Sequence, residues 1–440
     1  MIVSARNRLA ACIGAFAFGL TACSAPRLSP LAQDDTQPAI GVSGTVARGL
    51  TSVSFQVLHR FGRHAEARDI GGANPDGGLI DVNGTLYGTT VNGGKYKSSS
   101  ACFGLSGFGC GIVYSMSTTG TKKVLHYFLG RDSGDGAEPV YDLTNVKGTF
   151  YGTTSSGGAC GSQSSGTVYS MTTAGIENVL HTFCDSASGA AIPTGGVINV
   201  DGTLYGVAGP SVDGDVYSIS ASGAYNVLYA FRGPNYGDGY GPRGSLLDVH
   251  DTLYGVTYLG GASGSSSSVG YGMVYALSRS GKEKVLYSFQ GAPDGSEPLS
   301  GLINVNGTLY GTTFSGGKSG CQNNFGCGVV YSITTSGSEK VVYRFKGGSD
   351  GGNPDASLLE VNGTLYGTTA FGGTNGLGTV FSVTTSGDEQ VLHSFGGSDG
   401  ADPEADLIDV NGTLYGTTYY GGYEKGCGGK GCGTVFALTP

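Results

Sequence analysis

Cysteines, aspartates, histidines and aromatic residues recur at fixed places in this 440-residue chain, and each type suggests its own chemistry. Cys102/Cys110, Cys321/Cys327 and Cys427/Cys432 each share one loop, and the second member always precedes glycine and a strand-like run. Under oxidising conditions such neighbours form local disulfides, which leaves Cys160 and Cys184 for each other. Zinc needs four convergent ligands; these pairs sit in different repeats and lack histidine companions. Five segments read Asp-Gly-x-x-Pro, starting at Asp135, Asp238, Asp294, Asp350 and Asp399. Asp-Gly makes a tight turn, and the proline pre-sets the path into the next strand. Oxygens of these links, with Asp355, Asp402 and Glu404, are the one set suited to calcium, although the dense Asp/Asn alternation of strong calcium loops is missing. No other cofactor is implied.

Catalysis finds little support. His59, His126, His181 and His393 occupy one repeat position, which Tyr229, Tyr287 and Tyr343 fill elsewhere. A residue interchangeable with tyrosine reads as packing rather than acid–base machinery. No His-Glu-x-x-His pair occurs. The remaining enzymatic reading is a carboxylate pair assembled across repeats and acting on polysaccharide, as hydrolase or lyase. Loop aromatics offer a non-catalytic alternative. Phe103, Phe108, Tyr236, Tyr240, Tyr258, Phe325, Phe371 and Tyr420 lie near acids in the longer loops. Rings of this kind stack on sugars or grip a peptide, so these eight are the expected ligand-binding residues.

The elements that must position these residues repeat. Gly-Thr-Leu-Tyr-Gly or a close relative places its tyrosine at Tyr87, Tyr151, Tyr205, Tyr254, Tyr310, Tyr366 and Tyr415, at spacings of 64, 54, 49, 56, 56 and 49 residues. In one unit, Gly301–Val305 predicts a short strand. Asn306-Gly307 predicts a type I′ hairpin turn, and Thr308–Thr313 a second strand. A Gly-Gly loop carries the cysteines. Gly328–Thr334 and Lys340–Phe345, joined by Ser336-Gly337, complete a sheet of four antiparallel strands. Such a unit cannot bury both faces alone and needs neighbours.

The count closes. Third-strand aromatics recur at Tyr114, Tyr169, Tyr217, Tyr275, Tyr331, Phe381 and Phe436. Fourth-strand phrases end in Phe61, Phe128, Phe183, Phe231, Phe289, Phe345 and Phe395. The copy at Val57–Phe61 precedes any first strand, while Pro440 follows a third strand. The prediction is an all-β, seven-bladed β-propeller of four-stranded antiparallel blades over residues 51–440, closed by the N-terminal strand (about 53–61) completing the last blade. Alternation puts the Asn-Gly and Ser-Gly turns on one face. The Gly-Gly loops and Asp-Gly links fall on the other, where function is expected.

Residues 1–22 read as an export signal: Arg6 and Arg8, then the apolar run Leu9 to Leu20. Leu20-Thr21-Ala22-Cys23 resembles the lipobox of bacterial lipoproteins, which implies that Cys23 is lipidated and that residues 23–50 form a flexible tether. Ser24 implies the outer membrane by the sorting rule of enteric bacteria. Removing the signal takes two arginines, leaving 22 basic against 33 acidic residues and moving the net charge from −9 to −11. That balance argues against nucleic acid and against electrostatic attraction to an anionic membrane, so the lipid is the only expected membrane contact.

The series LIDVNGTLYGTTxxGG, GTVYSxTTSG, KVLYSF and DGxxP resembles the GloVer tandem repeat, first described in Gloeobacter and Verrucomicrobia, across about residues 53–440. Members carry varied surface-anchoring signals; the resemblance implies shape and location but no activity. The repeat is also similar to a kelch blade, without the fourth-strand tryptophan. Together these features predict a monomeric, lipid-anchored envelope protein that binds a glycan or a protein through its long-loop face. An architectural envelope role is the further alternative.

Overall fold

Asn306 and Gly307 both take positive φ, +51° and +85°, as a two-residue hairpin turn requires. This turn joins Ile303–Val305 to Thr308–Thr313, and Val329–Thr334 and Glu339–Arg344 follow to give a four-stranded antiparallel sheet. The first strand is shorter than the sequence predicts, beginning at Ile303, and the chain at Gly301 runs close against the preceding blade. A Cβ on Gly301 would lie 2.7 Å from the carbonyl oxygen of Ser245. The computed structural model describes residues 53–62, 71–95, 102, 109–160, 164–184, 192–209, 213–220, 222–261, 269–318, 321, 325–423 and 427–440. The expectations for residues 1–22 and 23–50, for Cys23, and for Phe103 and Phe108 lie outside these residues.

Ser54–Pro440 forms one unit, a propeller of seven such blades. Blades one to seven are numbered by their second strands: Thr85–Thr90, Thr149–Thr154, Thr203–Gly209, Thr252–Gly260, Thr308–Thr313, Thr364–Thr369 and Thr413–Thr418. The last blade is completed from the far end of the unit. Ser54–Arg60 pairs antiparallel with Thr434–Thr439, with Ser54 opposite Thr439 and Arg60 opposite Thr434. Pairing these ends removes the open edge of a linear array. Among the described residues no helix is long and apolar enough to cross a membrane.

Two repeated packing devices hold the ring. Within each blade, the third-strand aromatic lies on the last glycine of the Gly-Thr-Leu-Tyr-Gly phrase. A Cβ on Gly311 would stand 2.6 Å from the Tyr331 hydroxyl, and Gly88, Gly152, Gly206, Gly255, Gly367 and Gly416 are covered in the same way. Between blades, each fourth-strand phenylalanine meets the next blade's third-strand aromatic edge-to-face. Ring centroids are 5.0–5.5 Å apart from Phe61–Tyr114 round to Phe395–Phe436. Each such pair contributes roughly 0.5–1.5 kcal/mol beyond area burial. Phe61, from the closing strand, packs on blade one as its six equivalents pack on their neighbours.

Candidate functional site

The outer strand of each blade carries a bulge, and the bulge positions the first group of polar residues. Pairing with the third strand shifts register at the same place in every blade, between Val330 and Tyr331 in blade five. A bulge re-aims the residues beside it. In five blades it turns the position shared by histidine and tyrosine onto the aspartate of the following link. The Tyr229 hydroxyl donates to Asp238 at 2.9 Å, Tyr287 to Asp294 at 2.9 Å and Tyr343 to Asp350 at 2.6 Å. His126 and His393 meet Asp135 and Asp399 at 3.3 and 2.9 Å. The same aspartates accept backbone amides from the link, those of Leu129, Arg232, Gln290, Lys346 and Gly396. In these five blades the position read from sequence as packing is therefore a polar clasp; what histidine and tyrosine share is an N–H or O–H at matching reach.

The next blade supplies a third member from the start of its fourth strand. Tyr343 bonds Glu389 at 3.2 Å as well as Asp350. Glu177, Glu283 and Glu339 stand equivalently beside Asp135, Asp238 and Asp294. Burial first, and then the charge of the link aspartate, pushes these three carboxyls from 4.5 up to about 7. Glu389 moves in the same direction for the same reasons. Where a ring replaces the glutamate, the seam stacks instead: Tyr225 on His181 at 4.2 Å and Phe55 on His393 at 3.6 Å.

The inner strands form a different site. The residue just after the link proline is buried in every blade: Asp76, Val140, Thr194, Arg243, Leu299, Asp355 and Glu404. These residues lead into the innermost strands, which neighbour one another round the ring. Carboxyl side chains of Asp142 and Asp406 tie this inner layer together by accepting the amides of Gly78 and Ser357 in the preceding blade. Acids gather in three consecutive blades: Asp355 in blade six, Asp402 and Glu404 in blade seven, Asp76 in blade one. Burial pushes the Asp402 carboxyl well above the ordinary carboxylate range; a hydrogen bond from Glu404 opposes this, and the charges of Asp355 and Asp76 reinforce it. Blade four instead presents Arg243, its guanidinium 5.9 Å from the Tyr258 ring centre. The layer is thus acidic on one arc and basic on the opposite side.

The predicted ligand-binding aromatics divide. Tyr236 and Phe325 are exposed, at 72% and 70%. Tyr240, Tyr258, Phe371 and Tyr420 are half-buried. Phe371 and Tyr420 are held because link and loop pair as a short ladder, Gly352 with Phe371 and Ala401 with Tyr420. Burial raises the Tyr258 hydroxyl pKa, with Glu297 adding to the rise and Arg243 opposing it. Lys430 lies over the Tyr420 ring at 5.0 Å and bears on Asp402, linking the loop face to the acidic arc. All four predicted disulfides are present: Cys102–Cys110, Cys160–Cys184, Cys321–Cys327 and Cys427–Cys432.

Sequence reasoning did not single out Asp76, Arg243 or the seam glutamates. Aligning the repeats on the link proline marks the first two as the divergent members of a fixed position. Aligning the fourth strands puts Glu177, Glu283, Glu339 and Glu389 in one column.

A model of the Gloeobacter/Verrucomicrobia repeat matches residues 40–268 and 262–440. No curated protein matches the sequence. Among solved structures, TolB from Acinetobacter baumannii is 12% identical with a TM-score of 0.38, over 70% of this chain and 63% of that one. The chain therefore spans less than two thirds of TolB's length. A putative 6-phosphogluconolactonase from Bacteroides uniformis is 13% identical with a TM-score of 0.44, over 73% and 84%. The PQQ-bound aldose sugar dehydrogenase from Streptomyces coelicolor is 13% identical with a TM-score of 0.41, over 88% and 98%.

Proposed function

The chain belongs to the Gloeobacter/Verrucomicrobia repeat family, and we propose that it is a lipid-anchored envelope protein whose loop face binds a glycan without transforming it. One observation carries the binding reading. Among the described residues, all three exposed aromatic side chains, Tyr236, Phe325 and Tyr423, lie in the links and loops of that face. An exposed ring costs apolar hydration, and its flat face suits the C–H surface of a pyranose. A glycan array probed with the purified chain tests this, with Tyr236→Ala/Phe325→Ala as control. Binding lost in the variant at unchanged circular dichroism supports the reading, and binding retained by it overturns the assignment to this face.

The acidic arc favours a second reading. A buried carboxyl held near neutrality, such as Asp402, suits a general acid. On that reading the chain cleaves a polysaccharide, and Asp402→Asn abolishes release of reducing ends. The anchor rests on the Leu20-Thr21-Ala22-Cys23 sequence, supported by the disulfides, which need an oxidising compartment. Metabolic acyl labelling of wild type and Cys23→Ala tests it; labelling that survives the substitution excludes lipidation at that residue.

A further inference from the structure

We propose that the seam between blades one and two is a divalent transition-metal site formed by His126, Asp135 and Glu177. One ligand atom from each of these residues lies within 4.8 Å of the other two, and among the described residues no other trio of histidine, cysteine or acid does so. One imidazole nitrogen with two carboxylate oxygens is a donor set for zinc and its first-row neighbours, and the spacing needs only a small inward rotation to reach bonding distance.

Comparison with the sister seams supplies a second argument. Each pairs a link aspartate with a glutamate from the next blade, and each receives a basic side chain. Arg232 lies 3.5 Å from Asp238, and Lys346 lies 3.9 Å from Asp350. Arg344 bears on Glu339. In the first seam Leu129 stands where Arg232 and Lys346 stand, directly after the strand phenylalanine. No lysine or arginine follows Phe128 there, and the tyrosine hydroxyl of the other seams is replaced by an imidazole nitrogen of His126. Two other histidine seams lack the set: His393 faces Phe55, and His181 faces Tyr225.

The surroundings are already arranged. The Asp135 carboxylate is oriented by the amides of Leu129 at 2.8 Å and Gly136 at 2.7 Å, which leaves lone pairs for a metal. Phe128 holds the His126 ring edge-to-face at 4.8 Å. Glu177 Oε1 is buried with no hydrogen-bond partner. The His126 and Asp135 side chains keep 17% and 10% exposure, so water can complete the coordination shell.

Zinc titration of the metal-stripped chain, followed by calorimetry, tests the proposal. Wild type is expected to bind one equivalent. His126→Tyr installs the repeat's own alternative, so the clasp and fold are kept while the site is lost. Leu129→Lys leaves all three ligands but adds the charge of the sister seams, and should weaken zinc by about tenfold. Tyr287→His places histidine beside Asp294 and Glu339 and should raise the stoichiometry towards two. Failure of wild type to saturate, or unchanged zinc binding in His126→Tyr, overturns the proposal.

Discussion

The outer seams and the axial layer are built from the same repeats, yet they differ in kind. At the seams, seven phenylalanine–aromatic pairs agree to within 0.5 Å in centroid distance, and a link aspartate meets histidine or tyrosine in five blades. Around the axis, one equivalent position holds aspartate, valine, threonine, arginine, leucine, aspartate and glutamate. Repetition marks what every blade needs from its neighbour to stand. Divergence at a buried position has no such cause, since burying charge costs free energy wherever it is done. The comparison teaches that the axial layer and the exposed loops, not the seams as a class, carry what is individual to this protein. The first seam is the exception, because its histidine meets an aspartate and a glutamate.

The severest way to break the comparison is to open the ring. Deleting residues 54–61 removes the closing strand and Phe61 together, and should abolish cooperative thermal unfolding; a sharp transition in the deletion chain would show that closure is dispensable. Next comes a single seam. Phe345→Ala should cost about 3–5 kcal/mol in chemical denaturation, as for other fully buried aromatics. Phe231→Ala and Phe395→Ala should cost similar amounts if the seams are equivalent.

A smaller effect concerns pH. Folded Glu177, Glu283 and Glu339 have carboxyl pKa values raised from 4.5 to about 7, so the folded state holds protons that the unfolded chain has released. Their stabilisation is complete below about 4.5 and is lost as pH rises through about 7. The melting temperature should therefore fall between pH 5 and pH 8 (about three units), and Glu283→Gln/Glu339→Gln should flatten that slope. An equal slope in the double variant would assign the pH response elsewhere, with the axial acids next in line. The smallest effect is expected inside a blade. The Tyr275 and Tyr331 hydroxyls are buried without hydrogen-bond partners, and blades six and seven use Phe381 and Phe436 there. Tyr331→Phe should be neutral or stabilising by up to about 1 kcal/mol. Marked destabilisation would reveal a partner for that hydroxyl.

The sequence disclosed the blade because its constraints are local and repeated: Asn306-Gly307 for the turn, Gly311 beneath Tyr331, Phe345 at the strand end. It disclosed closure because Val57–Phe61 is a fourth strand without a first. The pairing of Cys160 with Cys184 followed by elimination. What stayed hidden depends on how neighbouring sheets cross. That Tyr343 reaches Glu389, 46 residues on in the next blade, follows from the twist and the bulge, which no single repeat encodes. Asp76 and Arg243 stayed hidden for the opposite reason: Val140, Thr194 and Leu299 share their position without sharing their chemistry, so the pattern that revealed the strands averages it away.

The pairing of Ser54 with Thr439 spans 385 positions, 439 less 54, of intervening chain. The segment synthesised earliest among the described strands thus has no partner until Thr434–Thr439 has been made. Six blades are local in sequence, but the seventh waits for the strand that ends at Thr439, and contacts so distant in sequence form slowly. Throughout that interval two unsatisfied sheet edges are open to other chains. Misassembly between nascent copies is therefore the hazard written into this topology, and holding one orphan strand in reserve is the service a chaperone would render it.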